Sequence, residues 1–319
     1  MQYLNFPEIE LLLEDIKTYH SLSGYVDQTE LKKRIDAQRL GIALDACRRM
    51  CFWDKTDIQV GNAGETKDYF FSRGDIKSLI KRGIAVLQQN VNASLVHQGI
   101  RRNIFTRQSL AWQQLFSTIQ NATESDYGQN LPFDLPAELY LKENESINVQ
   151  VTDQQTNGYI FWQGCNLVEN SVEIKDIQTE IAKNNLPTSI FVPLVYQFNT
   201  ADGYAVDGQG NSNIFTNKND VSCVLTHVSV AGDSTSQGLN CQLTLIDVGR
   251  NTEFCDSIEM RAIAGGYLNK YTVYYPLPYP IFLPRQDQLK AKIKNGSDIN
   301  GERNSTGITN YLTFAGITL

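Results

Sequence analysis

The chain has 319 residues, 20% of them charged and 41% in the hydrophobic set, with a formal net charge of −7. That balance excludes a disordered or fibrous chain and leaves room for two domains of ordinary size. No apolar run reaches the roughly 18 residues of a membrane helix, and six cysteines are too few for a disulfide scaffold, so they read as reduced thiols.

The N-terminus, MQYLNFPEIELLLED, has no basic region and carries acids inside its apolar stretch, so it is not expected to be a signal peptide. Pro7 suits a first helical turn, and Ile9, Leu12, Leu13 and Ile16 follow at helical spacing. Asp27 with Glu30 has the form of a capping box opening a second helix through Leu31, Ile35, Ile42 and Ala46. Asp75 to Asn90 fits a helix through Ile76, Leu79 and Ile80, and fits a buried strand equally well through GIAVLQQN. A third helix is expected from Thr106, with Leu110, Trp112, Leu115, Phe116 and Ile119 largely on one side.

Proline marks a change of regime: Pro7 stands alone until Pro132, and eight of the nine prolines lie in the last 188 residues. From there the period is two. Ile147, Val149 and Val151 alternate with Ser146, Asn148 and Gln150, and SIFVPLVYQF, VSCVLTHVSV, CQLTLIDV, SIEMRAIA and YTVYYPL behave alike. Turn clusters such as ADGYAVDGQGNSN separate them, as in an antiparallel sandwich or barrel. One helical interruption, Ser171 to Lys183, places Ile174, Ile177 and Ile181 on one face and reads as a connector.

Charge is uneven. Residues 1–126 hold 16 Lys and Arg against 15 Asp and Glu, whereas the remainder holds 12 against 20. Arg73, Lys77, Lys81, Arg82, Arg101, Arg102 and Arg107 form a local basic run broken by a single acid, Asp75. Such a run faces phosphate or stays solvated, and the acidic whole argues against a dedicated nucleic-acid binder.

Two stretches repeat. YIFWQGCNL (159–167) and the closing YLTFAGITL (311–319) share one pattern of Tyr, aliphatic, aromatic, Gly and Leu. LPAELYLKENESINVQV (135–151) also aligns without gaps on LPYPIFLPRQDQLKAKI (277–293), although only six of the 26 paired positions are identical. Pro136 and Pro278 suit an edge strand or the first residue of a strand, and Gly164 and Gly316 suit a bulge or close backbone approach. The duplication implies one domain ending near 168 and another near 319, and it turns GIAVLQQN into a strand.

A Pro-led strand, an RQDQ-like turn, an alternating strand and a closing F-x-G-x-x-L strand resemble the end of phage virion structural proteins. IKRGIAVLQQN (80–90) is similar to an early strand of the same proteins, and two successive sandwiches resemble the double-jelly-roll capsid proteins of icosahedral viruses. The fold expected is mainly β: two jelly-roll-like β-sandwiches in tandem with an α-helical N-terminal segment and helical connectors. Its parts are residues 1–50 (helical), 51–168 (first sandwich, with an inserted helix), 169–187 (connector) and 188–319 (second sandwich). The alternative is a helical N-terminal domain followed by one sandwich.

The resemblance implies a phage major capsid subunit that self-assembles into the shell, located in the virion. Its partners would be itself in trimer-based capsomers, other virion proteins, and nonspecifically a genome or internal membrane facing the seven bases. The competing roles are an accessory, head-tail or receptor- or carbohydrate-binding β-sandwich protein, with Trp162, Tyr159 and the aromatics of 271–282 as a sugar platform.

Catalytic signatures do not assemble. His20, His97 and His227 lack ligand neighbours at helical or hairpin spacing, and Cys47 and Cys51, four apart on the second helix, lack a second pair. Cys223, Cys241 and Cys255 read as small buried apolars. GDSTSQG (232–238) reads as a turn, and Asp202 and Asp207 fail the spacing of a calcium loop. No enzyme, cofactor or metal is expected.

Overall fold

The computed structural model describes residues 7–22, 25–87, 91–98, 110–111, 117–119, 134–135, 137–152, 155–168, 174–183, 191–199, 203–204, 214–216, 222–232, 241–249, 251–264, 275–295 and 309–319. Two helices lead, α1 (Pro7–Ser21) and α2 (Tyr25–Arg48). Ile9, Leu12 and Ile16 are buried as their spacing requires, but Leu13 is 36% exposed and lies off the buried stripe. The second helix is already under way at Tyr25, so Asp27 sits inside it rather than at its cap.

The first half continues as β1 (Arg49–Val60), β2 (Lys67–Ser72), β3 (Ser78–Leu87), β4 (Asn92–His97), β5 (Leu110–Ala111) and β6 (Ser117–Ile119). It ends with β7 (Leu139–Leu141), β8 (Ser146–Thr152) and β9 (Thr156–Leu167). The segment expected to be a helix from Thr106 is strand where it is described: 110–111 pair with β4 and 117–119 run parallel to β3. Ser117, Thr118 and Ile119 meet Ile84, Ala85 and Val86, so pairing to a buried neighbour overrides a helical spacing.

After α3 (Ile174–Lys183) the second half comprises β10 (Phe191–Asn199), β11 (Gly203–Tyr204), β12 (Ile214–Thr216), β13 (Cys223–Gly232), β14 (Gln242–Asp247) and β15 (Thr252–Glu259). A short helix α4 (Met260–Ala264) precedes β16 (Tyr275–Leu283), β17 (Gln288–Asn295) and β18 (Thr309–Thr318). The chain is mainly β.

Four sheets result. The first runs β1-β9-β3-β6, with β7 also on β3, and the second runs β2-β8-β4-β5. The third runs β10-β18-β13-β16, and the fourth runs β11-β17-β14-β15 with β12 also on β17. Among the described residues all pairings are antiparallel except β3 with β6. With β6 and β12 set aside, the two halves have the same strand order.

Burial explains which strands were legible. The first sheet is covered on both faces: Ile80, Ala85, Ile160 and Trp162 face the second sheet, while Cys51, Trp53, Ile84, Val86, Phe161 and Cys165 join the core of the second half. A strand buried on both faces shows no alternation, which is why GIAVL could be read as helix or strand. The third sheet is also doubly covered, because Val224, Phe282, Ile317 and Leu319 lie under α1, α2 and α3. By contrast β4 and β14, in the second and fourth sheets, alternate strictly. The segment read as a connector is thus part of a helical layer, with Ile177 and Ile181 buried in it.

The repeat is written into the geometry. Gly164 lies opposite Ile80 at a bulge in β3, and Gly316 lies opposite Leu225 at a bulge in β13. A Cβ would meet the Leu79 carbonyl oxygen at 2.2 Å in the first case and that of Val224 at 1.9 Å in the second. The turns before β8 and β17 match as well, with Asn144 at φ 61° and Gln286 at φ 63°.

Candidate functional site

The β3 bulge at Lys81 aims two consecutive cations at the joint between the halves. Arg82 is 3% exposed. Its Nε and Nη2 donate to Asp134 Oδ1 at 2.9 and 2.7 Å, Nη1 to Gln163 Oε1 at 3.4 Å, and Nη2 also to the Pro276 carbonyl at 3.3 Å. Lys81 Nζ donates to the Pro278 carbonyl at 3.1 Å, lies 3.7 Å from Asp134 and sits 5.5 Å from the Tyr279 ring centroid. Prolines at 276, 278 and 280 leave β16 without N–H groups there, as suits the edge strand of the third sheet. Its carbonyls accept from the two cations instead. Burial pulls the Arg82 guanidinium below its usual range, and Asp134 acts in the opposite direction.

The other described members of the basic run also have partners within the chain. Arg73 donates to Asp54 at 2.8 Å and lies 4.4 Å over the Phe52 ring, and Lys77 is 3.8 Å from Glu143. Arg73, Lys77, Lys81 and Arg82 therefore each face an acid of their own chain, and Arg82 is closed to any phosphate. Arg101, Arg102 and Arg107 lie outside the described residues.

Beside this joint is a cavity of about 580 Å³, whose lining includes Ile9, Leu11, Gln38, Ile42, Arg49 and Tyr279. Gln38 Nε2 donates to Asp15 at 2.8 Å, while its Oε1 is buried without a partner.

The fourth sheet holds a carboxyl pair that sequence reasoning missed. Asp247 is fully buried and Asp287 is 8% exposed, and Asp287 Oδ1 accepts from the backbone N–H groups of Gly249 and Gln288 at 2.8 and 2.7 Å. Burial raises the Asp287 carboxyl above its ordinary value, helped by the neighbouring Asp247 and opposed by the two N–H donors. The corresponding positions of the first half carry His97 and Glu145, 3.2 Å apart. The turn alignment that matches Asn144 to Gln286 also sets Glu145 on Asp287, but Asp247 and His97 lie outside it and join only through strand pairing.

Cys47 and Cys51 do not share a helix, because α2 ends at Arg48 and Cys51 lies in β1, opposite Cys165. All six cysteines are buried thiols outside any disulfide. Burial pushes Cys165 and Cys223 up to about 12, and raises Cys51 as well. His227 is lowered by burial. Among the described residues no cluster of three or more His, Cys, Asp or Glu is gathered for a metal ion. Asp202 and Asp207 lie outside the described residues.

Among the described residues the sugar platform is not displayed, and Tyr271 and Tyr274 lie outside them. Trp162 is fully buried, with Nε1 donating to Thr56 at 3.0 Å, and Tyr275, Tyr279 and Phe282 are 8%, 2% and 2% exposed. Tyr159 is half-buried, and its hydroxyl accepts from the Glu259 N–H at 3.2 Å.

No family model matches the chain, and no curated protein matches it. Among solved structures, a protein described as secreted from Parabacteroides distasonis ATCC 8503 is similar at 8% identity and a TM-score of 0.18, over 85% of this chain and 90% of that one. The coconut allergen cocosin is similar at 9% identity and a TM-score of 0.15, over 84% of this chain and 86% of that one. Neither likeness carries an argument about fold or role.

Proposed function

We propose that the chain is a virion structural protein, a major capsid subunit of a bacteriophage built on two tandem jelly rolls that self-assembles into an icosahedral shell. The observation that carries this is the strand order. Counted within each half, and leaving out β6 and β12, the first, eighth, third and sixth strands share one sheet, and the second, seventh, fourth and fifth share the other. That is the order of an eight-stranded jelly roll, an architecture used by viral capsid domains and by lectins. Its occurrence twice, with the same bulge opposite the same glycine, supports a duplicated shell subunit. The boundaries that go with it are residues 51–168 and 188–319, joined by 169–187. The role is structural, without a catalytic step, and its site is the virion.

Trimers are the capsomers this reading favours, since two equivalent sandwiches per chain place six around a threefold axis. Size-exclusion chromatography with electron microscopy of the purified chain tests it, with shells, rings or trimeric capsomers expected. A strict monomer that binds glycans would replace it with a lectin role.

A further inference from the structure

We infer that the solvent face of the fourth sheet is a docking surface for the sugar-phosphate backbone of a single nucleic-acid strand, with Lys290, Lys292 and Lys294 as its contacts. In β17 the sequence LKAKIK sends Leu289, Ala291 and Ile293 into the core, and the three lysines occupy the opposite face. Lys292 and Lys294 are exposed and Lys290 is half-buried. Alternate residues of a strand stand about 7 Å apart, so the cations form a straight, evenly spaced row on a rigid support.

Their described ladder neighbours are uncharged, with Ile214 of β12 on Lys290 and Tyr204 of β11 on Lys294 on one side. Across β14 the register pairs Lys290 with Ile246, Lys292 with Thr244 and Lys294 with Gln242. Among the described residues none of the three lysines has a salt bridge. Glu253, opposite Ile246 on β15, and the buried Glu259, opposite Gln242, are each two strands from the row, about 10 Å away.

The internal repeat supplies a control within the molecule. The alignment that sets Leu289, Ala291 and Ile293 on Ile147, Val149 and Val151 sets the lysines on Asn148, Gln150 and Thr152 of β8. There the three positions are uncharged, and Asn148 and Gln150 each donate to Asp68 of the next strand at 3.1 Å. The fold therefore does not require lysine at these positions. One copy carries two amides and a threonine and the other a row of cations in a chain of net charge −7.

A linear polyanion is the partner that suits an evenly spaced row. Electrostatic binding to an anionic bilayer draws on roughly four to eight clustered bases, and this face has three, flanked by half-buried Gln242, Thr244 and Ile246. The inference rests on the capsid reading only for the biological source of the strand.

The test is fluorescence anisotropy of a labelled thymidine homopolymer against the full chain across a salt series. K290Q/K292Q/K294Q and K290R/K292R/K294R are compared with the wild type. Three phosphate contacts give a log–log salt slope of about −2, hence roughly a 20-fold loss of affinity from 50 to 200 mM salt. The glutamine variant should lose that slope and the arginine variant keep it, with equal thermal midpoints showing that all three fold. An unchanged slope in the glutamine variant would overturn the inference. Wild-type binding to phosphatidylserine vesicles but not to the homopolymer would overturn it in favour of a membrane. Lysine-dependent binding by a chain that forms no particles would leave it standing while the capsid reading fell.

Discussion

Gly164 and Gly316 are held by space. Each lies across from a bulge, so an added Cβ would run into a carbonyl oxygen that belongs to the neighbouring strand and has nowhere to move. We expect Gly164→Ala and Gly316→Ala each to cost about 3 kcal/mol, seen as a lower urea midpoint at unchanged slope. Gly41, in α2, has nothing within 4 Å of a built Cβ, so Gly41→Ala should stabilise by about 0.5–1 kcal/mol. Equal effects at all three positions would contradict the packing account. Asp287 tests burial of charge. Its folded value is raised above the unfolded one, which is near 3.9. Its contribution to stability is therefore fully present below about pH 4 and is lost as pH rises through the folded value. Asp287→Asn keeps an oxygen for the Gly249 and Gln288 N–H groups and has no charge to bury. Urea midpoints across pH should show this variant more stable than wild type at neutral pH, with the gap closing in acid.

The helices show how far an apolar pattern reaches. Four residues of α1 share a helical spacing, yet Leu12 is fully buried while Leu13 is 36% exposed, because the layer above the third sheet accepts a narrow stripe. Leu12→Ala should cost about 2–4 kcal/mol and Leu13→Ala under about 0.5 kcal/mol in the same denaturation assay. A comparable loss from Leu13→Ala in the monomeric chain would mean that α1 sits differently. The strands obey the same rule of coverage. Those with one wet face alternate and were readable, and β3, dry on both faces, was ambiguous until the repeat assigned it.

The two halves share a core, and this makes the chain one thermodynamic body. Trp53 and Phe161 of the first half lie in the cluster that holds Phe254, Tyr275 and Tyr279 of the second. Arg82 bridges them through Asp134 and the Pro276 carbonyl. Calorimetry should find a single transition, with van't Hoff and calorimetric enthalpies in agreement. Asp134→Ala would leave Arg82 buried without its counter-ion. Because Asp134 is 40% exposed, the cost should be about 2–3 kcal/mol, below that of a fully buried pair, and should move the whole transition. Two separable transitions, or an unchanged midpoint in the variant, would show the joint to be incidental.

Local patterns were enough to mark the helical start, the change to period two at the prolines, and the repeated terminal strands with their glycines and turn. Each of these depends on neighbours in the chain or on a residue type with one steric use. They were not enough for residues whose role is set by distant partners. Thr106 onward reads as helix and pairs as strand where it is described, because β3 and β4 supply ladders from outside the segment. Arg73, Lys81 and Arg82 look like a solvent-facing patch until the bulge and sheet stacking turn them onto Asp54, Asp134 and the carbonyls of β16. Asp247 and Asp287 are 40 residues apart and meet only when β14 and β17 pair. Charge has no periodicity that reveals its partner, whereas hydrophobicity does: burial is a property of a face, but an ion pair belongs to two particular atoms brought together by the whole fold.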